Sequence, residues 1–365
     1  MSTGTFRLRP APRDAQLSER FFGRFRRVGL HGVLADLNRS GRRTEVPGRA
    51  ASDGFTWTPH DAATRRWYPQ GITTSSDAYG SGPNAGTFEG RPVVMSSWYG
   101  HGVIGRLWLG TRISVVDLAD EDAPRYRHVL LVGPRRRFGL HRLHPVRIHA
   151  GGIVWYGRYL FVAGSSGGIR VFRLDDVTRV RHRWRTKGYR YILPQLTHYE
   201  AEHDPGAHPM TYSFMSLDRQ GDEDHLVVGE YGRAGGSHRL ARYALDRRTE
   251  LLSTGERETA DPVDLFDGKI PRMQGAALVQ GTWVLTASAG EGNPGDLWVG
   301  GPDTFVHHRG VLPTGPEDIT YWPQRDQLWT LTEWPGRRWV YAIDAEAVRD
   351  GQIRRAGRTT GRAPS

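Results

Sequence analysis

The chain has 365 residues, no cysteine, 46 glycines, 22 prolines and a formal net charge of +11. The absence of cysteine excludes disulfides, thiolate zinc sites and a cysteine nucleophile. Lysine occurs only at Lys187 and Lys269, so the other 48 of the 50 basic residues are arginine, a bias typical of GC-rich coding sequences. We interpret the charge as a solvated basic surface and expect no nucleic-acid partner; polyanion binding through the basic clusters 21–29 and 179–190 is the alternative.

Residues 1–54 are predicted to be an extension in which residues 14–38 form a helix. The first 14 residues lack the apolar segment of a signal peptide, and no apolar stretch approaches the roughly 20 residues that cross a bilayer. We therefore expect a cytoplasmic monomer without membrane contact. Export is the alternative, if a signal peptide precedes this sequence.

From residue 67 onward, one order of short apolar runs recurs. Each copy has three β-rich runs separated by turn residues, here called strands A, B and C. Strand A lies in five aligned segments, which are 67–77, 148–156, 211–219, 272–281 and 316–324. A fourth, outer strand can be identified at 126–133, 189–193 and 304–312.

Four-stranded antiparallel units repeated in this way are typical of a β-propeller, because one unit cannot cover both of its faces alone. Five copies predict an all-β, five-bladed β-propeller over residues 55–350, followed by a flexible tail at 351–365. Residues 44–66 are predicted to lend the last blade its outer strand. The alternative is a sixth blade formed from that segment and the tail.

One polar residue holds the same place at the start of strand A in every copy. These residues are Gln70, His149, Ser213, Gln274 and Glu317. Strand A is the innermost strand of a blade, so we expect the five side chains to form a ring around the axis. They would lie on the face where strand A begins, which we call the front face. Converging polar groups predict a binding site there; the alternative is a polar lining for a water-filled channel.

The loops between strands B and C are predicted to return to the front face and to contribute ligand-binding residues. These are Tyr99, His101, Glu230, Tyr231, Arg233, Glu333 and Trp334. In the loops 229–233 and 332–337, a carboxylate, an aromatic ring and an arginine together suit a polar ligand with a ring or a sugar. Alternatively, the aromatic ring packs on the next blade while the carboxylate and arginine pair. Asp77 and Asp218 are assigned to the opposite, rear face.

Glu317 is the only carboxylate among the five ring residues, and His149 is the only imidazole. We therefore predict that Glu317 and His149 are the catalytic acid/base pair, while Gln70, Ser213 and Gln274 orient the substrate. Such a pair permits hydrolysis, elimination, isomerisation or cyclisation. Glu230 or Glu333 as a second carboxylate would suit glycoside cleavage.

No cofactor and no metal are predicted. One segment, 197–209, nevertheless contains residue types that bind zinc. They are His198, Glu200, Glu202, His203, Asp204 and His208. Because proline and glycine bound this segment between two copies, we expect a solvated loop.

Several segments together resemble a family of uncharacterised actinobacterial proteins that are often described only as secreted. The segments are WYPQGITTSSDAY (67–79), YRHVLLVGP (126–134), IHAGGIVWYGRYLFVA (148–163), LVVGEYGR (226–233) and VLPTGPEDITYWPQRDQLWTLTE (311–333). The resemblance covers roughly residues 55–345 and implies a propeller, but it supplies no reaction. An intracellular member would fit a role in specialised metabolism.

Two functions from different classes follow from these patterns. The first is an enzyme that acts on a small polar organic molecule in an axial pocket. The second is a non-catalytic propeller that binds carbohydrate or another ligand, and a protein-interaction scaffold is a third possibility. The unequal ring residues favour the enzyme, because a lectin-like repeat would tend to keep the five positions alike.

Overall fold

The structure, a computed structural model, describes residues 6–11, 26–101, 109–137, 140–165, 167–181 and 186–353. The predicted all-β class is confirmed, since strands dominate and the helices of the described residues are short. The helices are α1 (Gly29–Leu34), α2 (Pro59–Ala63), α3 (Ser75–Ala78) and α4 (Ala345–Arg349), with 3-10 turns at Leu174–Asp176 and Pro323–Arg325. None of them is long and apolar enough to span a bilayer.

Four strands precede the first copy of the repeat: β1 (Phe6–Pro10), β2 (Arg39–Ser40), β3 (Arg42–Arg43) and β4 (Ala51–Thr56). Two antiparallel meanders follow. The first is β5 (Trp67–Thr74), β6 (Val93–Gly100), β7 (Gly110–Asp117) and β8 (Arg125–Arg137), with β9 (Leu140–Pro145) paired to β8. The second is β10 (Ile153–Tyr156), β11 (Tyr159–Ala163), β12 (Ile169–Arg173) and β14 (Tyr191–His203), with β13 (Thr178–Arg179) paired to β14.

Three further meanders follow in the same order. The third is β15 (Phe214–Asp218), β16 (Asp224–Gly229) and β17 (Arg239–Asp246), with β18 (Leu251–Leu252) and β19 (Asp264–Asp267) both paired to β17. The fourth is β20 (Met273–Val279), β21 (Thr282–Ala287), β22 (Pro294–Gly300) and β23 (Val306–Thr314). The fifth is β24 (Pro316–Trp322), β25 (Gln327–Thr332), β26 (Trp339–Asp344) and β4.

Strands from distant parts of the chain complete two of these sheets. β4 pairs antiparallel with β26, so the prediction that residues 44–66 supply the outer strand of the last copy is confirmed. Because β4 spans Ala51–Thr56, the predicted boundary between the extension and the repeats, at residue 54, falls inside a strand. A parallel pairing of β14 with β8 joins the first two meanders into one twelve-stranded sheet.

The predictions for the extension and the tail fall partly on undescribed residues. Within the predicted helix 14–38, the described residues are helical at Gly29–Leu34, whereas 12–25 lie outside the described residues. Residues 354–365 of the predicted tail also lie outside them.

The segment 197–209 is not the solvated loop that we expected, because most of it belongs to β14. That strand runs to His203 and pairs with β1. Glu202 forms an ion pair with Arg9 at 2.6 Å, and Asp204 forms one with Arg7. Arginines of the N-terminal strand therefore neutralise these carboxylates, and the described residues contain no group of three His, Asp or Glu side chains that could hold a metal ion.

Five apolar clusters fill the spaces between consecutive meanders. One packs Ile153 of the second meander against Ile113 of the first, and the next packs Met215 against Val154. Two more lie between the third and fourth and between the fourth and fifth meanders. The last contains Ile72 and Val340, so it joins the fifth meander back to the first.

Polar contacts between the meanders follow the same cycle. The Trp155 amide donates to Thr73 Oγ1 at 2.9 Å, which joins β10 to β5. Thr286 Oγ1 donates to the Glu317 carbonyl at 2.7 Å, which joins the fourth meander to the fifth. The Ile72 amide donates to Asp318 Oδ2 at 3.2 Å, which joins β5 to β24. Contacts of β15 with β10 and β20, and of β20 with β24, complete the cycle, so the five strands that begin the meanders lie side by side.

Candidate active site

Irregular pairing at the start of three innermost strands positions the candidate site. The register with the neighbouring strand shifts between Pro69 and Ile72 in β5, between Met273 and Gly275 in β20, and between Pro316 and Ile319 in β24. These bulges contain three of the five predicted ring residues. They are Gln70, Gln274 and Glu317. A bulge bends the strand and re-aims a side chain, which is why bulges are frequent beside functional sites.

Two glutamates meet at this point. Their carboxyl groups, from Glu317 in β24 and from Glu333 just after β25, share a hydrogen bond and form what we call the carboxyl pair. Gln274 Nε2 donates to Glu317 Oε1 at 3.2 Å, and Gln70 Nε2 donates to Glu333 Oε2 at 3.1 Å. Glu317 is 2% exposed, whereas Glu333 is half-buried. Glu333 is therefore the member that solvent or a ligand reaches.

The carboxyl pair keeps at least one proton near neutral pH. Burial raises the pKa of Glu317 well above its ordinary value, and the charge and hydrogen bond of Glu333 add to the effect. Burial also raises the pKa of Glu333, to about 7, although the hydrogen bonds from Gln70 and Glu317 favour its ionised form and lower the pKa. Because two neighbouring carboxylates repel each other, the pair loses its protons in separate steps. We conclude that Glu317 keeps its proton and donates it to the hydrogen bond, while Glu333 ionises near pH 7.

Arg338 fixes the backbone beneath the carboxyl pair. Its Nε donates to the Glu333 carbonyl at 2.7 Å, and its Nη1 donates to the Asp61 carbonyl at 2.8 Å. The guanidinium is 1% exposed and lies over the Tyr68 ring at 5.2 Å. Burial lowers the pKa of Arg338 to about 10, and Tyr68 opposes the shift. Arg338 thus acts on the site through the Glu333 main chain.

A buried polar network behind Arg338 holds helix α2 in place. Asp61 accepts hydrogen bonds from Tyr126 Oη at 2.7 Å, from His128 Nε2 at 3.0 Å and from Arg112 Nη2 at 3.3 Å. Burial alone would raise the pKa of Asp61, but His128 and Arg112 hold it well below its ordinary value. The carboxylate therefore stays charged and anchors the network.

This network contains a serine, a histidine and an aspartate linked by hydrogen bonds in the order of a hydrolase triad. They are Ser114, His128 and Asp61. Ser114 Oγ lies 2.9 Å from His128 Nδ1. Ser114 is fully buried, however, and its oxygen accepts the Trp98 Nε1 hydrogen at 2.7 Å. A substrate cannot reach this serine, so we assign the three residues a structural role.

The buried imidazole makes the fold sensitive to acid. Burial lowers the pKa of His128 to about 3, with Arg112 adding to the effect, whereas an unfolded histidine titrates near 6.5. Between these values only the unfolded chain takes up the proton, so the free energy of unfolding should fall by about 1.4 kcal/mol per pH unit as the pH drops. Urea denaturation from pH 7 to pH 4 measures this slope.

The matched variant is His128→Gln, compared with the native chain at each pH so that titrating groups away from His128 cancel. We expect the variant to be less stable at pH 7 but to lose less stability on acidification. Equal slopes in the two proteins would show that His128 is protonated in the folded state.

Aromatic rings line the front face beside the carboxyl pair. Tyr68 stacks on Tyr99 with ring centroids 5.5 Å apart, and Tyr99 stacks on His149 at 4.4 Å. His101 meets Tyr99 edge-on at 4.9 Å. Burial raises the pKa of Tyr99 far above its ordinary value, and Glu333 and Glu317 strengthen the shift. The stack therefore lies within electrostatic reach of both carboxyls.

His149 belongs to this stack and is not the hydrogen-bond partner of Glu317. His149 is exposed to solvent but stacks on Tyr99. Desolvation by the surrounding protein and the charge of the nearby His101 lower the pKa of His149 to about 4. The structure thus pairs Glu317 with Glu333, in place of the acid/base pair expected from the sequence. Of the two residues considered as a second carboxylate, Glu333 is the one beside Glu317, and Asp318 also lies within electrostatic reach of Glu317.

The other predicted loop residues form a separate group in the third meander. Ser213 Oγ accepts the Tyr231 amide at 3.0 Å, and Arg233 is exposed. Both oxygens of Glu230 are bound by Arg239, at 2.8 and 2.9 Å, and Ser237 also donates to this carboxylate. Among the described contacts, none links this group to the carboxyl pair. The similar loops 229–233 and 332–337 therefore have different contacts. Glu230 forms an ion pair with Arg239, whereas Glu333 contacts the carboxyl group of Glu317.

A cavity of ≈ 460 Å³, which we call the front cavity, opens at Trp334, the residue that follows Glu333, although neither member of the carboxyl pair lines it. It is lined by Arg65, Tyr68, Glu291, Gly292, Trp334, Pro335 and Arg337. Trp334 is half-buried, and its Nε1 has no hydrogen-bond partner within the described residues. The negative charge of Glu291 is among the influences that raise the pKa of Glu333 above its ordinary value, after burial. The cavity thus offers aromatic surface and both signs of charge one residue along the chain from Glu333.

Three residues of the site were missed by sequence reasoning. Tyr68 lies two residues before Gln70, and Arg338 directly follows Arg337, so both were within reach of the repeat alignment. Asp318 follows Glu317; its Oδ2 binds the Ile72 amide, whereas its Oδ1 has no partner in the described part of the chain. Only the bulge in β24 explains how two successive carboxylates both point inward.

Comparisons with known proteins give no family. No family model and no curated protein matches the chain. Among solved structures, a gluconolactonase from Xanthomonas campestris has 10% identity and a TM-score of 0.35. The match covers 84% of this chain and 88% of the gluconolactonase. The Cps50 (Swd1) β-propeller domain of Myceliophteria thermophila has 10% identity and a TM-score of 0.37, and the match covers 77% of this chain and 98% of that domain. A GH43_1 enzyme from Xanthomonas citri, complexed with xylotriose, has 13% identity and a TM-score of 0.34, and the match covers 78% of this chain and 91% of that enzyme. At such low scores these similarities carry no argument about the activity of this chain.

Proposed function

We propose that the five meanders are the blades of a five-bladed propeller and that its front face is the active site of an acid/base enzyme. The substrate would be a small polar organic molecule. The observation that supports this proposal is the carboxyl pair, in which Glu333 is accessible and has a pKa of about 7. A group with a pKa near the working pH is present in both the acid and the base form, which is what proton transfer in both directions requires.

In this mechanism Glu333 is the group that contacts the substrate. Its carboxylate removes a proton from a water molecule or from a substrate hydroxyl, and the resulting acid returns the proton to the leaving or newly formed oxygen. Glu317 stays protonated and stabilises the Glu333 carboxylate through the shared hydrogen bond. Gln70 holds Glu333 in place, and Arg338 fixes its backbone.

The geometry narrows the reaction type. Glycosidases keep their two carboxyl groups at least about 5 Å apart, so that the sugar or a water molecule fits between them. The shared hydrogen bond leaves no such space between Glu317 and Glu333. Hydrolysis at a carbonyl, elimination and cyclisation need a single proton-transfer group and fit better. The Tyr68–Tyr99 stack would support a planar or ring-shaped part of the substrate.

Carbohydrate binding without turnover is the second candidate, favoured by the aromatic and arginine side chains of the front cavity. One experiment separates the two functions. The protein is incubated with lactones, esters and oligosaccharides between pH 5 and pH 9, and products are measured by mass spectrometry. We expect turnover of one class, with a rate that rises through about pH 7 as Glu333 ionises. Saturable binding without product at any pH would refute the enzyme and support the binding protein.

A further inference from the structure

A second cavity, of ≈ 730 Å³, lies at the rear face, where the loops between strands A and B converge. All five meanders contribute to its wall, through residues that include Ala78, Tyr156, Arg219, Leu278 and Tyr321. It shares no lining residue with the front cavity. Its volume is in the range of small-molecule sites, and the proposed front-face chemistry does not use it.

Arg219 is the cationic group of this rear cavity with the fewest strong partners. Its guanidinium lies over the Tyr156 ring at 4.8 Å. In the described part of the chain, its one recorded hydrogen bond is a long one, from Nη2 to the Ala78 carbonyl at 3.5 Å, and its Nε has none. Gly80 leaves room for the group, because a Cβ there would lie 2.5 Å from Nη1. The side chain is thus positioned by packing while most of its donors stay available.

The nearby carboxylates are engaged elsewhere. Asp224 accepts hydrogen bonds from Tyr156 Oη at 2.6 Å and Arg247 Nη2 at 2.7 Å, whereas its distance to Arg219 Nε is 3.8 Å. Glu250 pairs with Arg158 at 2.9 Å. Asp77 is buried and accepts hydrogen bonds from neighbouring threonines, and desolvation raises its pKa above the ordinary value. Asp224 is therefore the nearest counter-ion of Arg219, and it lies too far away for a hydrogen bond.

Apolar side chains form the wall near this arginine. Leu217 precedes it by two residues in the same meander, and Leu278 and Tyr321 line the cavity from the next two. A charged donor group beside an apolar wall matches a ligand with an anionic head and an apolar body. Arginine suits such a head because its planar fork can donate two parallel hydrogen bonds to a carboxylate or a phosphate.

We propose that the rear cavity is a binding site for a small organic anion, whose carboxylate or phosphate head binds Arg219 and whose apolar body packs on Leu217 and Leu278. The site goes beyond the proposed function and does not depend on it, since no residue of the carboxyl pair takes part.

Calorimetric titration of the full chain tests this proposal with four probes: benzoate, phenyl phosphate, inorganic phosphate and benzamide. We expect saturable binding of benzoate or phenyl phosphate, weaker binding of inorganic phosphate and no binding of the uncharged benzamide. Whichever organic anion binds more tightly identifies the head group. Equal binding of benzamide and benzoate, or no binding of either organic anion, would overturn the proposal.

Variants locate the site. Arg219→Gln should weaken binding by about tenfold or more, the loss of roughly one charge-assisted interaction, and Arg219→Lys should recover part of it. Arg248→Gln removes the same charge from a side chain that is 85% exposed and should change nothing. Glu333→Gln should also leave probe binding unchanged, so failure of the proposed enzyme and failure of this site are distinguishable. Unchanged binding in a folded Arg219→Gln protein would refute the assignment.

Discussion

Replacing Glu333 by glutamine is expected to lower kcat by about 10²- to 10⁴-fold, the usual contribution of a general acid or base. The amide has the shape of the carboxyl group, and its oxygen can still accept the hydrogen bonds from Gln70 and Glu317. The fold should therefore survive while the group that exchanges a proton near pH 7 is lost. Steady-state kinetics on the substrate found in the screen, together with a thermal melt, measure both effects.

Two further variants define the roles within the carboxyl pair. Glu256→Gln removes the same charge from an exposed glutamate and should leave kcat unchanged. Glu317→Gln keeps a donor toward Glu333, so we expect a smaller loss than for Glu333→Gln. Equal losses would mean that the Glu317 proton itself moves during the reaction, as the sequence suggested. Full activity of Glu333→Gln would exclude the proposed mechanism.

The same assignment can be examined without a substrate. Carbon-13 NMR of glutamate-labelled protein should show one carboxyl group that titrates near pH 7 and disappears in Glu333→Gln. The burial of the carboxyl pair and the repulsion within it are the physical reason for this titration. If every glutamate carboxyl titrates below pH 6, Glu333 is an ordinary carboxylate and the proposed function loses its basis.

The strand order could be predicted from the sequence because each strand is a short apolar run bounded by turn residues. The A-B-C order is found in each meander, and the donation of β4 to β26 was expected because residues 44–66 were left over from the five copies. Strand β1 was not expected. Its pairing with β14 joins residues nearly 200 positions apart, and ion pairs such as Arg9 with Glu202 hold it there. Local patterns do not contain that information.

The candidate site was predicted in part, for a similar reason. The repeat alignment located Gln70, Gln274 and Glu317, because equivalent positions of a repeat occupy equivalent places. It placed Glu333 among ligand-binding residues without revealing that this side chain meets Glu317. In a regular strand, side chains alternate between the two faces, so only Glu317 was expected to point inward. The bulge of β24 turns both Glu317 and Asp318 inward. Pairings between loops and bulged strands depend on tertiary contacts, and residue spacing does not encode them.

The sequence alignment did not use the glycines near the ring positions. One of them, Gly152, is expected to have a large effect on stability when it is replaced. An added Cβ there would lie 2.5 Å from the carbonyl carbon of Phe214 and closer still to the Met215 amide nitrogen. These are backbone atoms of the neighbouring innermost strand, so no side chain can move aside. We expect Gly152→Ala to lower the free energy of unfolding by about 3 kcal/mol or more, measured by urea denaturation.

The matched control is Gly255→Ala, because a Cβ at that position meets no atom within 4 Å. This change should be neutral or slightly stabilising, since alanine only restricts the unfolded chain. The comparison also bears on the proposed propeller. Gly152 is tightly enclosed only if the first strands of the second and third meanders lie in contact near the axis. If Gly152→Ala proves as stable as Gly255→Ala, these strands are apart, and a closed ring of five blades around the carboxyl pair is refuted.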